Sequence, residues 1–167
     1  MSFKSFIEGR ALALDNKQKL ALVVLRIAIG WHFLYEGIAK ILNPTWSSAG
    51  YLLDSEGFLS DFFSSMASNP GTLEVVNFLN IWGLTFIGIG LMLGLFTQLA
   101  TLAGIIILLF YYLSHPPFIG MSYAIPSEGN YLWINKTLIE MLTLWALYYF
   151  PTGKIIGIDR LILKKQK

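Results

Sequence analysis

From Leu20 to Leu42 most positions are apolar, but the exceptions Arg26, His32, Glu36 and Lys40 lie inside the stretch rather than at its ends. At 1.5 Å of rise per residue such a stretch is long enough, as a helix, to cross a hydrocarbon core of about 30 Å. An ionisable group near the centre of a span costs roughly 2.5 to 3.5 kcal/mol on insertion scales, so one face of this helix is expected to meet protein or water. Thr72 to Phe118 is almost continuously apolar. As a single helix it would be roughly 70 Å long, more than twice the core thickness, so it has to fold back on itself. The break predicted at Gly94-Leu95-Phe96-Thr97-Gln98 gives spans over 74–95 and 98–114. A fourth span is predicted over 133–150, stopped by Pro151-Thr152-Gly153. The runs show no period-2 alternation, which disfavours a spanning β-barrel. The expected fold is an all-α integral membrane protein: one domain over 1–167, a bundle of four transmembrane helices with a long outer loop between helices 1 and 2.

Composition supports that class. With 55% hydrophobic and 13% charged residues and a mean hydropathy of +0.60, the chain is too apolar for an ordinary soluble domain. Cysteine is absent, which excludes disulfides and thiolate chemistry within the chain. Basic residues cluster before the first span (Lys4, Arg10, Lys17, Lys19) and after the fourth (Lys154, Arg160, Lys164, Lys165, Lys167). Both termini are therefore expected in the cytoplasm, with the chain in the inner membrane. Ala11-Leu12-Ala13 precedes the apolar run instead of following it, so the first span is expected to be retained.

The two outer connections differ. Asn43 to Gly71 mixes aromatic and apolar residues with Ser, Asp and Gly, and the spacing within Ser47 to Met66 partly suits a pair of short amphipathic helices. His115 to Tyr131, with Pro116, Pro117, Gly120, Pro126 and Gly129, is expected to be irregular, with His115 at the surface.

The polar residues within the spans are layered. Glu36 and His32 on the first, Glu74, Asn77 and Asn80 on the second, and Asn135, Lys136 and Glu140 on the fourth all fall in the outer halves, while Arg26 lies in the inner half. This pattern predicts a polar pocket open to the outer face. His32 and Glu36 share a helix face, where a carboxylate can fix an imidazole tautomer or relay a proton. The candidate catalytic residues are thus His32, Glu36 and Glu140, and the candidate binding residues are Arg26, Asn77 and Asn135. The blander alternative makes Lys40, Glu74 and Lys136 interfacial anchors and lets Arg26 snorkel to inner headgroups. His32 and His115, the only histidines, are expected at different depths, which argues against a bis-histidine haem, and no other metal set is evident. No phosphate loop, nucleophile elbow or nucleic-acid patch is present. Gly88, Gly90 and Gly94 fall within a span, where small residues serve helix packing.

The run containing Arg26, Gly30, His32, Glu36, Gly37 and Lys40 resembles the first-helix signature of the DoxX superfamily. Gly88 to Ala100 is similar to its second-to-third helix hairpin, although Gln98 stands where the family usually has Arg. Asn43 to Leu52, Asn135 to Glu140 and Gly157 to Arg160 resemble the DoxD branch, the membrane subunit of thiosulfate:quinone oxidoreductase, so the likeness runs from about Leu25 to Leu161. The resemblance implies a four-helix bundle tied to quinone and sulfur redox chemistry and a separate second redox subunit.

Two functional classes follow. In the first, the chain is a quinone-reactive subunit in which apolar walls hold the isoprenoid tail while Arg26, His32, Glu36 or Glu140 meet the quinone carbonyls. In the second, it is a non-catalytic membrane module that binds lipid or a small solute or anchors a partner protein. Membrane lipid, a second redox subunit and a second copy of the chain are the expected partners, and nucleic acid is not. Four helices without a broken-helix repeat make a poor alternating-access transporter unless dimeric.

Overall fold

The computed structural model describes residues 14–124 and 132–164, and side chains as far as residue 162. Lys4, Arg10, Pro126, Gly129, Lys165 and Lys167 lie outside the described residues, as does the side chain of Lys164. In chain order the helices are α1 (Asn16–Ile41), α2 (Ala49–Leu53), α3 (Ser60–Ser68), α4 (Pro70–Leu93), α5 (Thr97–Ser114), α6 (Lys136–Tyr149), a 3₁₀ turn (Thr152–Lys154) and α7 (Ile158–Lys164).

Helix α1 starts earlier than its apolar run because Asp15 forms a capping box. Its Oδ1 accepts from the Gln18 N–H at 2.7 Å, and Gln18 Oε1 accepts from the Asp15 N–H at 2.9 Å. Helix α4 likewise begins ahead of its predicted start, with Pro70 in its first turn and the Asn69 side chain accepting from the Thr72 N–H at 3.1 Å. The predicted break between α4 and α5 is where expected. Gly94 closes α4 at φ +64°, and Phe96 also takes the left-handed region, at φ +46°, before α5 begins.

One expectation changes. The predicted fourth span, 133–150, is helical only as the 14 residues of α6, about 21 Å against a core of about 30 Å. Asn135 sets that boundary: its side chain caps the helix by accepting from the Leu138 N–H, leaving Trp133 and Ile134 outside. Among the described residues three helices, α1, α4 and α5, are long and apolar enough to cross a membrane. The long connection after α1 carries two short helices, α2 and α3, the pair that the spacing within Ser47 to Met66 suits. Asn77 of α4 ties the entry to α2, its Oδ1 accepting from the Ser48 N–H at 2.8 Å and the Ser48 hydroxyl at 2.7 Å. The Ser55 hydroxyl donates to the Ser114 carbonyl at 2.8 Å, fastening the same segment to the end of α5.

The core lies between α1, α4, α5 and α6 and includes Phe33, Leu84, Ile87, Leu91, Leu108 and Leu144. In lipid the hydrophobic effect does not drive helices together, so close backbone approach has to hold them. Along the α1–α4 crossing Gly30 lies on Leu91 and Met92, Gly88 lies on Leu34, and Gly37 lies on Thr85. A Cβ on Gly88 would come within 2.6 Å of the Leu34 Cα, and one on Gly30 within 2.8 Å of the Met92 nitrogen. Gly104 does the same work between α5 and α6, where a Cβ would meet the Leu144 methyl at 2.7 Å. Gly90 is less crowded, with its nearest neighbours at 3.1 Å.

At the opposite end from α2 and α3, the C-terminal segment closes the bundle. Asp159 accepts from the Phe96 N–H at 2.7 Å, the Thr97 N–H at 3.0 Å and the Thr97 hydroxyl at 2.6 Å. Its own N–H donates to the Gly94 carbonyl at 2.9 Å. Phe96 cannot cap α5 with its side chain, so a carboxylate more than sixty residues away in sequence does so. Partial burial raises the proton affinity of Asp159, but the hydrogen bonds from Thr97 and Phe96 and the nearby Arg26 charge outweigh it. The carboxyl is held below its ordinary range.

Two predictions follow from these contacts. Gly88→Ala should lower stability by about 1 to 3 kcal/mol, and Gly90→Ala by much less; thermal melts in detergent that rank them equally would contradict the crossing described. Asp159→Ala should cost about 1 to 2 kcal/mol, as loss of a cap does. Because the folded carboxyl titrates low, its stabilisation is complete above about pH 3.9 and is lost as pH falls through the folded value. Melting curves of Asp159→Ala should therefore flatten relative to the parent in that acid range.

Candidate functional site

The polar residues in the half of the bundle nearer α2 and α3 separate into distinct neighbourhoods. On α1, His32 faces α6, and its Nδ1 lies 2.7 Å from Glu140 Oε1. Glu140 is mostly covered, with 11% of its side chain exposed, whereas His32 is 40% exposed. They line a cleft of about 700 Å³ between α1 and α6, together with Asn135 and Lys136 at the start of α6. Leu25, Ile29, Ile134 and Ile139 form apolar walls, and all but Ile29 reach the exposed surface of the chain. A carboxylate on Nδ1 fixes the imidazole tautomer and leaves Nε2 as the nitrogen able to meet a ligand. The cleft thus combines a proton-exchanging pair with lipid-compatible walls.

One turn further along α1, Glu36 takes a different partner. The Lys40 ammonium donates to Glu36 Oε2 at 2.7 Å and lies over the Trp46 ring, 5.4 Å from its centre. Asn77 is engaged with Ser48, and Asn80 accepts from the Tyr111 hydroxyl. Arg26 is nearly inaccessible, at 1% exposure, and neither snorkels to the surface nor reaches Glu140 by a hydrogen bond. Its guanidinium donates to the Thr152 hydroxyl at 3.1 Å and to the Ile156 carbonyl at 2.9 Å, with Asp159 as nearby counter-charge. Of the six candidate residues, the structure brings together His32, Glu140 and Asn135. Asn135 spends its side-chain oxygen on capping α6. Glu36, Asn77 and Arg26 do not join them.

His115 is not the surface residue expected from the sequence. Its ring stacks on Tyr51 with centres 3.9 Å apart, lies 4.5 Å from Tyr123, and points Nε2 at Asp54 Oδ2, 3.6 Å away. Burial holds its imidazole below the ordinary range, against the pull of Asp54. Tyr51 and Tyr111 also went unread as polar groups, because in sequence they are indistinguishable from the aromatic residues that pack spans. Among the described residues no group of three or more Asp, Glu or His side chains is placed to hold a metal.

The model of one protein family, DoxX, matches residues 21–116. The chain belongs to the DoxX family. The DoxX match runs from within α1 to just past the end of α5 and includes His32, whereas Glu140, Arg26's partner Thr152 and the capping Asp159 lie beyond it. The pair in the cleft therefore joins a residue of the DoxX region to one outside it. Searches of curated proteins and of solved structures returned no match.

Proposed function

We propose that this DoxX protein is the integral membrane subunit of a quinone-linked oxidoreductase, of the thiosulfate:quinone type that the DoxD-like motifs imply. The observation carrying this reading is the His32–Glu140 pair, 2.7 Å apart in a cleft that it shares with Asn135, Lys136 and Thr143 and with the apolar Leu25, Ala28, Ile29, Ile134 and Ile139. That donor set fits a quinone: a hydrogen-bonding head meets the pair, and a hydrocarbon tail meets Leu25, Ile29 and Ile139. When bound, a quinone supplies acceptance of two electrons and two protons. His32 holds a proton at Nδ1 against Glu140 and presents Nε2 to the cleft, so the pair passes protons between a bound head and the outer aqueous face. Lys136 at the rim keeps the carboxylate's negative charge company. The chain has no cysteine, and a separate redox subunit delivers the electrons in this scheme.

In the same reading α6 completes a fourth crossing, the flanking Trp133, Ile134 and Phe150 making up for its short helix with local thinning of the bilayer. Arg26 of α1, the α4–α5 turn and the C-terminal segment meet at one end of the bundle, which supports placing both termini on one side. Lys17, Lys19, Lys154 and Arg160 make that side cytoplasmic.

Purified protein in lipid nanodiscs, titrated with a short-chain benzoquinone and a naphthoquinone, tests the site. Glu140→Gln and His32→Ala should each weaken binding by about tenfold or more, the loss of a hydrogen bond to a charged group, while thermal melts stay near the parent. Parent-like affinity in both variants would overturn the assignment. For topology, the absence of native cysteine gives a clean background. An impermeant maleimide should label Asp61→Cys in intact cells and Lys154→Cys only after lysis; the reverse pattern would invert the orientation.

A further inference from the structure

A second cavity, of about 1080 Å³, shares no lining residue with the His32–Glu140 cleft. It is a groove between α4 and α5, open sideways past the exposed rim residues Leu79, Phe86 and Ile106. Gly83, Gly90, Ala100 and Ala103 contribute lining without side-chain bulk. Its polar groups are gathered at one end. There Glu36–Lys40 and the hydrogen-bonded Asn80–Tyr111 pair line it, beneath a roof made by Ser48, Tyr51 and Leu52 of the α2 segment and Phe63 of α3. The other end is formed by Leu95, Phe96 and Leu99.

Length identifies the occupant. On α5 the lining runs from Ser114 to Leu99, a rise of about 22 Å, and on α4 from Val76 to Gly90, about 21 Å. One leaflet contributes about 15 Å, half the hydrocarbon core. For a lipid whose head sits at the polar end, the groove therefore continues past the bilayer midplane. The acyl chains of a phospholipid anchored at that end stop at about the midplane and leave the Leu95, Phe96 and Leu99 end empty. A helix from a second copy is about 10 Å across with its side chains, which the roof over the polar end does not admit.

We propose that this groove binds one polyisoprenoid lipid, its polar head between Glu36–Lys40 and Asn80–Tyr111 and its chain running down α4 and α5 across the midplane. Lys40 and Glu36 offer the head a donor and an acceptor, and the Asn80 amide and Tyr111 hydroxyl offer a second pair. The site is independent of the quinone reading, since it rests on other residues and on chain length rather than on proton exchange.

The test uses the full-length protein in nanodiscs and two photoreactive probes, a long-chain polyisoprenoid and a single short prenyl chain, each carrying the photoreactive group at its tail end. The long probe should crosslink at Phe96 or Leu99, and the short one only near Asn80 and Tyr111. Excess phospholipid with ordinary acyl chains should not displace the long probe. Ala103→Trp, which fills the groove at mid-depth, should cut crosslinking at the far end by about tenfold while leaving quinone binding at the His32–Glu140 cleft at the parent level. Should that variant fail to fold, Ile106→Trp at the exposed rim serves the same purpose without entering the core. Full displacement by phospholipid, unchanged crosslinking in the groove-filling variant that folds, or a disulfide-linked dimer formed through Leu99→Cys in place of lipid labelling would each overturn the proposal.

Discussion

Backbone contact between α1 and α4 is the constraint from which the rest of the molecule follows. In a bilayer, apolar side chains gain little by leaving lipid for one another, so the pairing has to come from close packing. Gly30, Gly37 and Gly88 allow it, each lying where a Cβ would strike the facing helix. The crossing fixes both the height and the rotation of α1. It thereby turns Arg26 and Phe33 inward and His32 toward α6, and brings Glu36 and Lys40 to the mouth of the α4–α5 groove.

The closing of the end that holds the C-terminal segment shows a second consequence of the low-dielectric setting. Arg26 is buried as a charged group, which is tolerable only with hydrogen-bond acceptors and a compensating charge. Thr152, the Ile156 carbonyl and the neighbouring Asp159 supply them, and Asp159 at the same time caps α5. One short segment after α6 thus supplies acceptors for both terminal nitrogens of a buried guanidinium and caps the start of a helix. Gly153 and Gly157 let that segment lie against Thr97 and Gly94, where any side chain would collide.

The polar groups in the half of the bundle nearer α2 and α3 follow a different logic. Four pairs form there: His32 with Glu140, Glu36 with Lys40, Asn77 with Ser48, and Asn80 with Tyr111. A single shared pocket would require several of these groups to stay unpaired in an apolar surrounding, which is costly. Pairing, within α1 for Glu36 and Lys40 and between separate segments for the others, removes the cost and leaves two separate openings, one beside α6 with an exposed imidazole and one between α4 and α5 with a roofed polar end.

Hydropathy and punctuation in the sequence determine the all-helical membrane class, the break at Gly94 and the packing role of the intramembrane glycines, because each depends on local features. The need for residues such as Arg26, His32 and Glu140 to have partners is equally readable, since an isolated charge in lipid is costly wherever it sits. Which partner each one takes is not. Glu36 and Lys40 are an i, i+4 pair that the sequence can offer, but only the packing of α6 against α1 sets Glu140 opposite His32. The shortness of α6 was hidden because Trp133 and Ile134 are as apolar as the helix that Asn135 starts after them. Asp159 reads in sequence as an ordinary charge near the C-terminus, and only the folded chain places it on α5. Local pattern determines which segments are helices and where polar groups need company; the rotation and height of packed helices, set by side-chain volume at distant crossings, decide who keeps it.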